Sequence, residues 1–174
     1  MSLSISTGAA KMFGLASHLP AVLASGRIDS SREIYEQNRH RVYSLAFWMT
    51  DNELAAEELM MRVFCRAFER SETPAADDID RALVGELRPR FDLGTLTLDC
   101  AACDRVLAVR RNTLRVELER AVVQLPATEK LMFLFHDVEG YDHARIAHLL
   151  GTTQDGSRRG VHQARLRLRE ILAS

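Results

Sequence analysis

Ser157–Glu170 carries five arginines, Arg158, Arg159, Arg165, Arg167 and Arg169, against one acid, Glu170. The guanidinium is a planar fork of N–H donors. It matches phosphate oxygens and the O6/N7 edge of guanine. At about 100° per residue, a helix would bring Arg158, His162, Arg165 and Arg169 onto one narrow face. Val161, Ala164, Leu168 and Leu172 would fall about a quarter-turn away and face a core. Thr153 and Gln154 sit at the start of that helix, where short polar side chains can reach base edges. The chemistry on offer is the reading of a DNA groove.

The preceding residues supply the rest of such a reader. "DHARIAHLL" is a short amphipathic helix with Asp142 as its cap, and Gly151 ends it. Thr152 or Thr153 then caps the basic helix, which runs to Leu172. A short helix, a glycine turn and a longer basic helix make a helix-turn-helix. Two glycines stand inside the reading helix. Gly156 lies in its first turn, and Gly160 lies mid-helix at a cost of about 1 kcal/mol against alanine. Both point away from the arginine row.

Other chemistry is poorly served. His136, His143, His148 and His162 are scattered, and His143 and His148 are not on one helical face. There is no H-E-x-x-H, no Gly-rich phosphate loop, and no base at nucleophile-like spacing from Ser157. Cys100 and Cys103 form a C-x-x-C without a second ligand pair, so no metal site is expected. With Cys65 they give an odd, low count that suits a reducing, cytoplasmic compartment. No catalytic residue and no cofactor are expected.

The chain has 174 residues, 47% of them hydrophobic and 6% aromatic. Lysine and arginine total 23 against 24 acids, for a net charge of -1, so affinity for nucleic acid has to come from charge placement. The alanine-, leucine- and arginine-rich composition favours helix. The spacing predicts one helix from Ser30 or Ser31, with Ile34, Tyr35, Val42, Leu45, Ala46 and Met49 apolar. A second follows, capped by Thr50 or Asp51, with Leu54, Leu59, Val63, Phe64 and Ala67 as its stripe. The pair should form an antiparallel hairpin. A short helix ends near Pro89, and "FDLGTLTLD" is open between strand and coil. A long helix is expected from Cys103 to Gln124, followed by one starting at Pro126 and ending at Gly140. The first thirty residues hold "MFGLASHLPAVLASG". His18 and Pro20 interrupt it and it is too short to span a bilayer, so it reads as an arm or short helix.

The expected fold is all-α: two small helical domains, the C-terminal one a helix-turn-helix. The divisions are 1–29 for the arm, 30–99 for the first domain, 100–117 for a linker or connecting helix, and 118–174 for the second.

Two stretches carry a resemblance. "LERAVVQLPATEKLMFLFHDVEGYDHARIAHLLG" followed by "HQARLRLREIL" resembles the promoter-reading domain of bacterial sigma factors of the extracytoplasmic-function (ECF) type, in the sigma-70 family. "IYEQNRHRVYSLAFWMTDNELAAEELMMRVFCRAFER" resembles that family's polymerase-docking helix pair. Together they cover Ile34–Arg70 and Leu118–Leu172. The resemblance implies a monomeric, non-enzymatic specificity subunit that binds core RNA polymerase and promoter DNA and is held by an anti-sigma protein. Thr153, Gln154, Arg158, Arg159, His162, Arg165 and Arg169 would face the −35 element, and Glu57, Glu58, Met61 and Arg62 the polymerase. An adaptor or decoy that binds a regulator without initiating transcription is the alternative; a plain helix-turn-helix repressor would be expected to dimerise.

Three departures stand out. Met61 and Arg62 occupy places where the family has Gln and an acid. The melting segment, "SETPAADDIDRALVGELRPRF", is acid-rich, with Phe91 its only aromatic residue. The linker is short, which predicts that the two halves pack together.

Overall fold

The computed structural model describes residues 21–97 and 114–173. Helices α1 (Ala21–Thr50), α2 (Glu53–Arg70) and α3 (Ala76–Leu87) form the first half. Helices α4 (Arg115–Val123), α5 (Ala127–Phe133), α6 (His143–Leu150) and α7 (Gln154–Ala173) form the second. A π-helical turn, Leu134–Val138, extends α5. No strand occurs among the described residues, and no helix there is long and apolar enough to cross a membrane. Cys100, Cys103 and residues 1–20 lie outside the described residues; the expected continuous helix from Cys103 to Gln124 is interrupted at Leu114, whose extended backbone (φ −71°, ψ 148°) precedes a fresh helix start at Arg115.

α1 and α2 form the expected hairpin, closed by Val42, Leu45, Ala46 and Met49 against Leu59, Val63 and Phe64. α1 starts about ten residues before the expected Ser30 or Ser31. Ala21, Leu23 and Ala24 are good helix formers, and a serine is an optional stop when helix can continue upstream of it. The cap of α2 also shifts. Asn52 accepts from the Ala55 N–H at 2.9 Å, while Asp51 takes φ 50° to turn the chain between the helices. Leu54, expected in the apolar stripe of α2, is 78% exposed. It lies about 140° around the helix from buried Leu59.

α3 packs on α2 with Ile79, Leu83 and Leu87 buried. After it, residues 92–97 form neither helix nor strand, and the chain bends at Gly94, φ 114°. Their backbone groups are met by side chains instead. The Thr128 hydroxyl donates to the Asp92 carbonyl at 3.1 Å and accepts from the Gly94 N–H at 3.2 Å. Glu129, fully buried, accepts from the Thr97 N–H at 2.6 Å. "FDLGTL" is thus a strap across the start of α5, whose bonding needs are met as burial demands.

The two halves pack directly on each other. Asp80 of α3 is fully buried and accepts from Arg41 of α1, from the Tyr141 hydroxyl at 2.8 Å and from Arg145 of α6 at 2.7 Å. Arg145 also pairs with Asp77 at 2.7 Å and lies over the Tyr141 ring, 3.9 Å from its centre. Burial, with Asp80 alongside, pushes the Tyr141 hydroxyl well above its ordinary pKa, so it stays a donor. Arg88 adds a bond to the Leu150 carbonyl at 2.8 Å.

Gly160 turns out to serve packing. It is buried where α7 meets α5, and a Cβ there would overlap the Met132 sulfur and lie 2.9 Å from Leu96. The helix cost of the glycine is what the close approach of α5 and α7 requires.

Two outcomes test these contacts. Gly160→Ala should lower the urea midpoint, because overpacking costs about 1–3 kcal/mol and exceeds the methyl group's gain in helix propensity. Combining it with Met132→Val should recover part of that loss; strict additivity would show that the two sites do not meet. Asp80→Asn should destabilise the chain by about 3–5 kcal/mol in urea unfolding, since it leaves two arginines without their buried anion.

Candidate nucleic-acid interface

α6 and α7 build the interface from their caps inward. Asp142 accepts from the Arg145 N–H at 2.7 Å, and Gly151 closes α6 in the left-handed region at φ 69°. Thr153 accepts from the Gly156 N–H at 2.9 Å and so starts α7. Between these caps the chain turns in the few residues a helix-turn-helix needs. α7 buries Ser157, Gly160, Val161, Gln163, Ala164 and Leu168. The opposite face is left to water.

Thr153, Gln154, Arg158, Arg159, His162, Arg165 and Arg169 are all exposed. Their surroundings differ. Arg158 makes a local pair with Asp155 at 2.7 Å, both side chains open to solvent. Arg167 makes another with Glu170 at 2.9 Å. Arg159, His162 and Arg169 have no ion-pair partner among the described residues. Arg165 is held from outside α7: its Nε donates to Asp137 Oδ2 at 2.9 Å, and its Nη2 donates to Asp137 Oδ1. That carboxylate raises the Arg165 pKa further, so the charge is fixed.

Several residues absent from the sequence-level site belong to this surface. His136, in the π-helical turn, stacks on His143 of α6 with ring centres 4.4 Å apart. The His136 Nδ1 meets the Tyr141 carbonyl at 2.8 Å, and the His143 Nδ1 meets the buried Ser157 hydroxyl at 3.1 Å. Asp137 is another, whereas Arg145 of α6 turns from this surface to Asp77 and Asp80 of α3. Helical spacing within α7 says nothing about them, because their contacts join positions 28 and 65 residues apart. The one local hint is Arg145, three residues after the cap Asp142 on the polar side of a short helix.

On α2, Glu57, Glu58 and Met61 share an exposed face with Leu54, and Met61 is 52% exposed. Arg62 is half-buried beside them. It donates to Glu58 at 2.7 Å and lies 3.3 Å from Glu86 of α3. Arg66 pairs with Glu86 at 2.6 Å. The arginine at position 62 therefore serves a bridge from α2 to α3.

Burial first, then His136, Arg158 and Arg165, lower the His143 pKa, with Asp142 opposing. Because the folded value lies below the ordinary value near 6.5, the fold should lose stability as pH falls below about 6.5. The thermal midpoint should drop between pH 7.5 and 5.5, and the drop should shrink in His143→Gln, which keeps a partner for Ser157. An equal drop in both proteins would count against this assignment.

Comparison with known proteins agrees with the geometry. Residues 115–168 match the family model "Sigma-70, region 4", which spans α4 to most of α7. The chain is also similar to the ECF RNA polymerase sigma factor SigE of Mycolicibacterium smegmatis (strain ATCC 700084 / mc(2)155), 26% identical over 159 residues. That alignment covers 81% of this chain and 61% of the relative, so the chain spans about three-fifths of the relative's length. The helix-turn-helix thus lies within a segment similar to sigma-70 region 4, and the similarity to an ECF sigma factor extends into the helices before it.

Proposed function

We propose that this protein is a promoter-specificity subunit that joins core RNA polymerase and directs initiation at a subset of promoters. The observation that carries the reading is the division of α7. Its apolar residues are sunk into the second half, and Arg158, Arg159, His162, Arg165 and Arg169 stand together in water. In a chain of net charge -1, that concentration of cations suits a phosphate-lined groove. α7 would enter the major groove of a −35 element, with Thr153 and Gln154 at its leading end. The polymerase would dock on α2 through Glu57, Glu58, Met61 and Arg62, with exposed Leu54 beside them. An anti-sigma protein is the expected inhibitor, and a monomer in the cytoplasm the expected state. The reading requires no catalytic residue, cofactor or metal.

A second reading has a specific observation in its favour. In this family's order of segments, α3 lies where the −10 element is melted, which calls for aromatic and basic side chains. Here α3 presents Asp77 and Asp80, and both are bonded to Arg145 of the second half. Elements centred at −10 and −35 lie about 85 Å apart at about 3.4 Å per base pair. A compact chain of this length has a radius of gyration of only about 16 Å. Reading both elements together therefore requires the halves to part. A protein that stays closed would act as an adaptor or decoy for a regulator.

The test starts with co-elution of the purified chain with core polymerase, then run-off transcription from a library of upstream regions. Specific transcripts are expected. Co-elution without any specific transcript would favour the adaptor, and no co-elution would sink the initiation reading. On a cognate promoter, Arg158→Ala and Arg159→Ala should each weaken binding and lower its salt dependence, as loss of a phosphate contact does. Wild-type affinity in both would mean that α7 reads through another face.

A further inference from the structure

The exposed arginines of α7 are not equivalent. Arg158 and Arg167 pair with acids on their own helix, where both partners reach solvent and can exchange them for water or phosphate. Arg165 is gripped by a carboxylate from another element. Asp137 takes Nε–H and one Nη2–H in a fork, and it is the more enclosed partner, with its side chain 22% exposed against 48% for Arg165. Asp137 is itself held by its backbone. It lies in the π-helical turn that closes α5, where the Glu139 N–H reaches the Leu134 carbonyl at 3.0 Å and the Tyr141 N–H reaches that of Phe135 at 2.8 Å. The close packing of Met132 on Gly160 stands five residues before both Asp137 and Arg165 and draws the two helices together there.

This grip uses only one edge of the guanidinium. The remaining Nη2–H and the Nη1–H groups form a second fork, and that edge fits guanine O6 and N7. An arginine already fixed loses less rotamer freedom when it binds. The carboxylate also offsets the charge that would otherwise draw Arg165 to the nearest phosphate. We propose that Asp137 is a positioning residue that makes Arg165 a guanine reader, while the other α7 arginines serve the backbone. This rests on the DNA-reading role of α7.

The experiment uses the full chain and a pool of randomised 20-base-pair duplexes. The wild-type chain is expected to select a sequence with one invariant G·C pair whose selection disappears in Arg165→Ala. Replacing that pair by A·T should weaken wild-type binding roughly 5- to 100-fold. Asp137→Asn keeps the shape and removes the charge. It should lose most of that discrimination while binding unrelated duplexes as tightly as wild type or more so. Asp137→Asn combined with Arg165→Ala should discriminate no worse than Arg165→Ala alone. Thermal unfolding of Asp137→Asn near the wild-type midpoint would show the fold intact. If the variant discriminates like wild type, or loses affinity equally for every duplex, Asp137 does not position a reader. If the wild-type chain selects no sequence at all, the DNA-reading role of α7 fails first and takes this proposal with it.

Discussion

One carboxylate organises the meeting of the two halves. Asp80 is shut off from water and takes bonds from α1, α6 and the turn before α6. A lone buried anion is untenable, so each of those donors has to be in place. Arg41 fixes the position of α1, Arg145 that of α6, and Tyr141 ties in the turn. Tyr141 in turn stacks on Phe135, with ring centres 5.3 Å apart, so the site is continuous with the apolar core of the second half. Buried ion pairs add little net stability compared with apolar packing of the same volume, but they punish misplacement heavily. Asp80 therefore defines how the halves sit more than how firmly they hold.

The same residue recasts the acid-rich character of α3. Taken as a sequence, "SETPAADDIDRALVGELRPRF" departs from a segment that should be aromatic and basic. In the structure its acids have assigned partners. Asp77 and Asp80 hold Arg145, Glu86 holds Arg62 and Arg66, and Asp78 accepts from the Ala75 N–H at 2.9 Å to cap the helix. Arg62, which looked like a reversed charge on a docking face, answers Glu58 and Glu86. The two departures are linked through the Arg62–Glu86 pair between α2 and α3.

What was legible in the sequence was whatever is local. Asp142, Gly151 and Thr153 mark the helix-turn-helix, because a cap bonds within three or four residues and a left-handed turn asks for glycine. The exposed row of α7 follows from its period. Boundaries slipped where two local answers compete: Thr50, Asp51 and Asn52 are all competent caps, and the hairpin geometry puts Asp51 at positive φ and gives Asn52 the cap. Leu54 was misplaced because one residue in a first turn weighs little in a stripe. Gly160 could be seen as a cost but not as a requirement, since its reason, Met132, lies 28 residues away. Asp80, Asp137 and Arg145 share that limit. Their roles come from partners on other helices, and no spacing rule within one helix reaches them.

Charge placement then sorts the arginines in a way that composition does not. Arg41 and Arg145 are committed to a buried anion and cannot meet DNA without opening the molecule. Arg62 and Arg66 are engaged between α2 and α3. On α7, Arg159 and Arg169 remain without ion pairs among the described residues, Arg158 and Arg167 have exchangeable neighbours, and Arg165 has one fixed edge and one open edge. A nearly neutral protein can thus present a cationic surface of graded readiness, because its acids are spent on the arginines that hold the fold. The arginine-bearing face of α7 stays open to solvent while the halves are packed together, whereas Asp80 of α3 is shut in between α1 and α6.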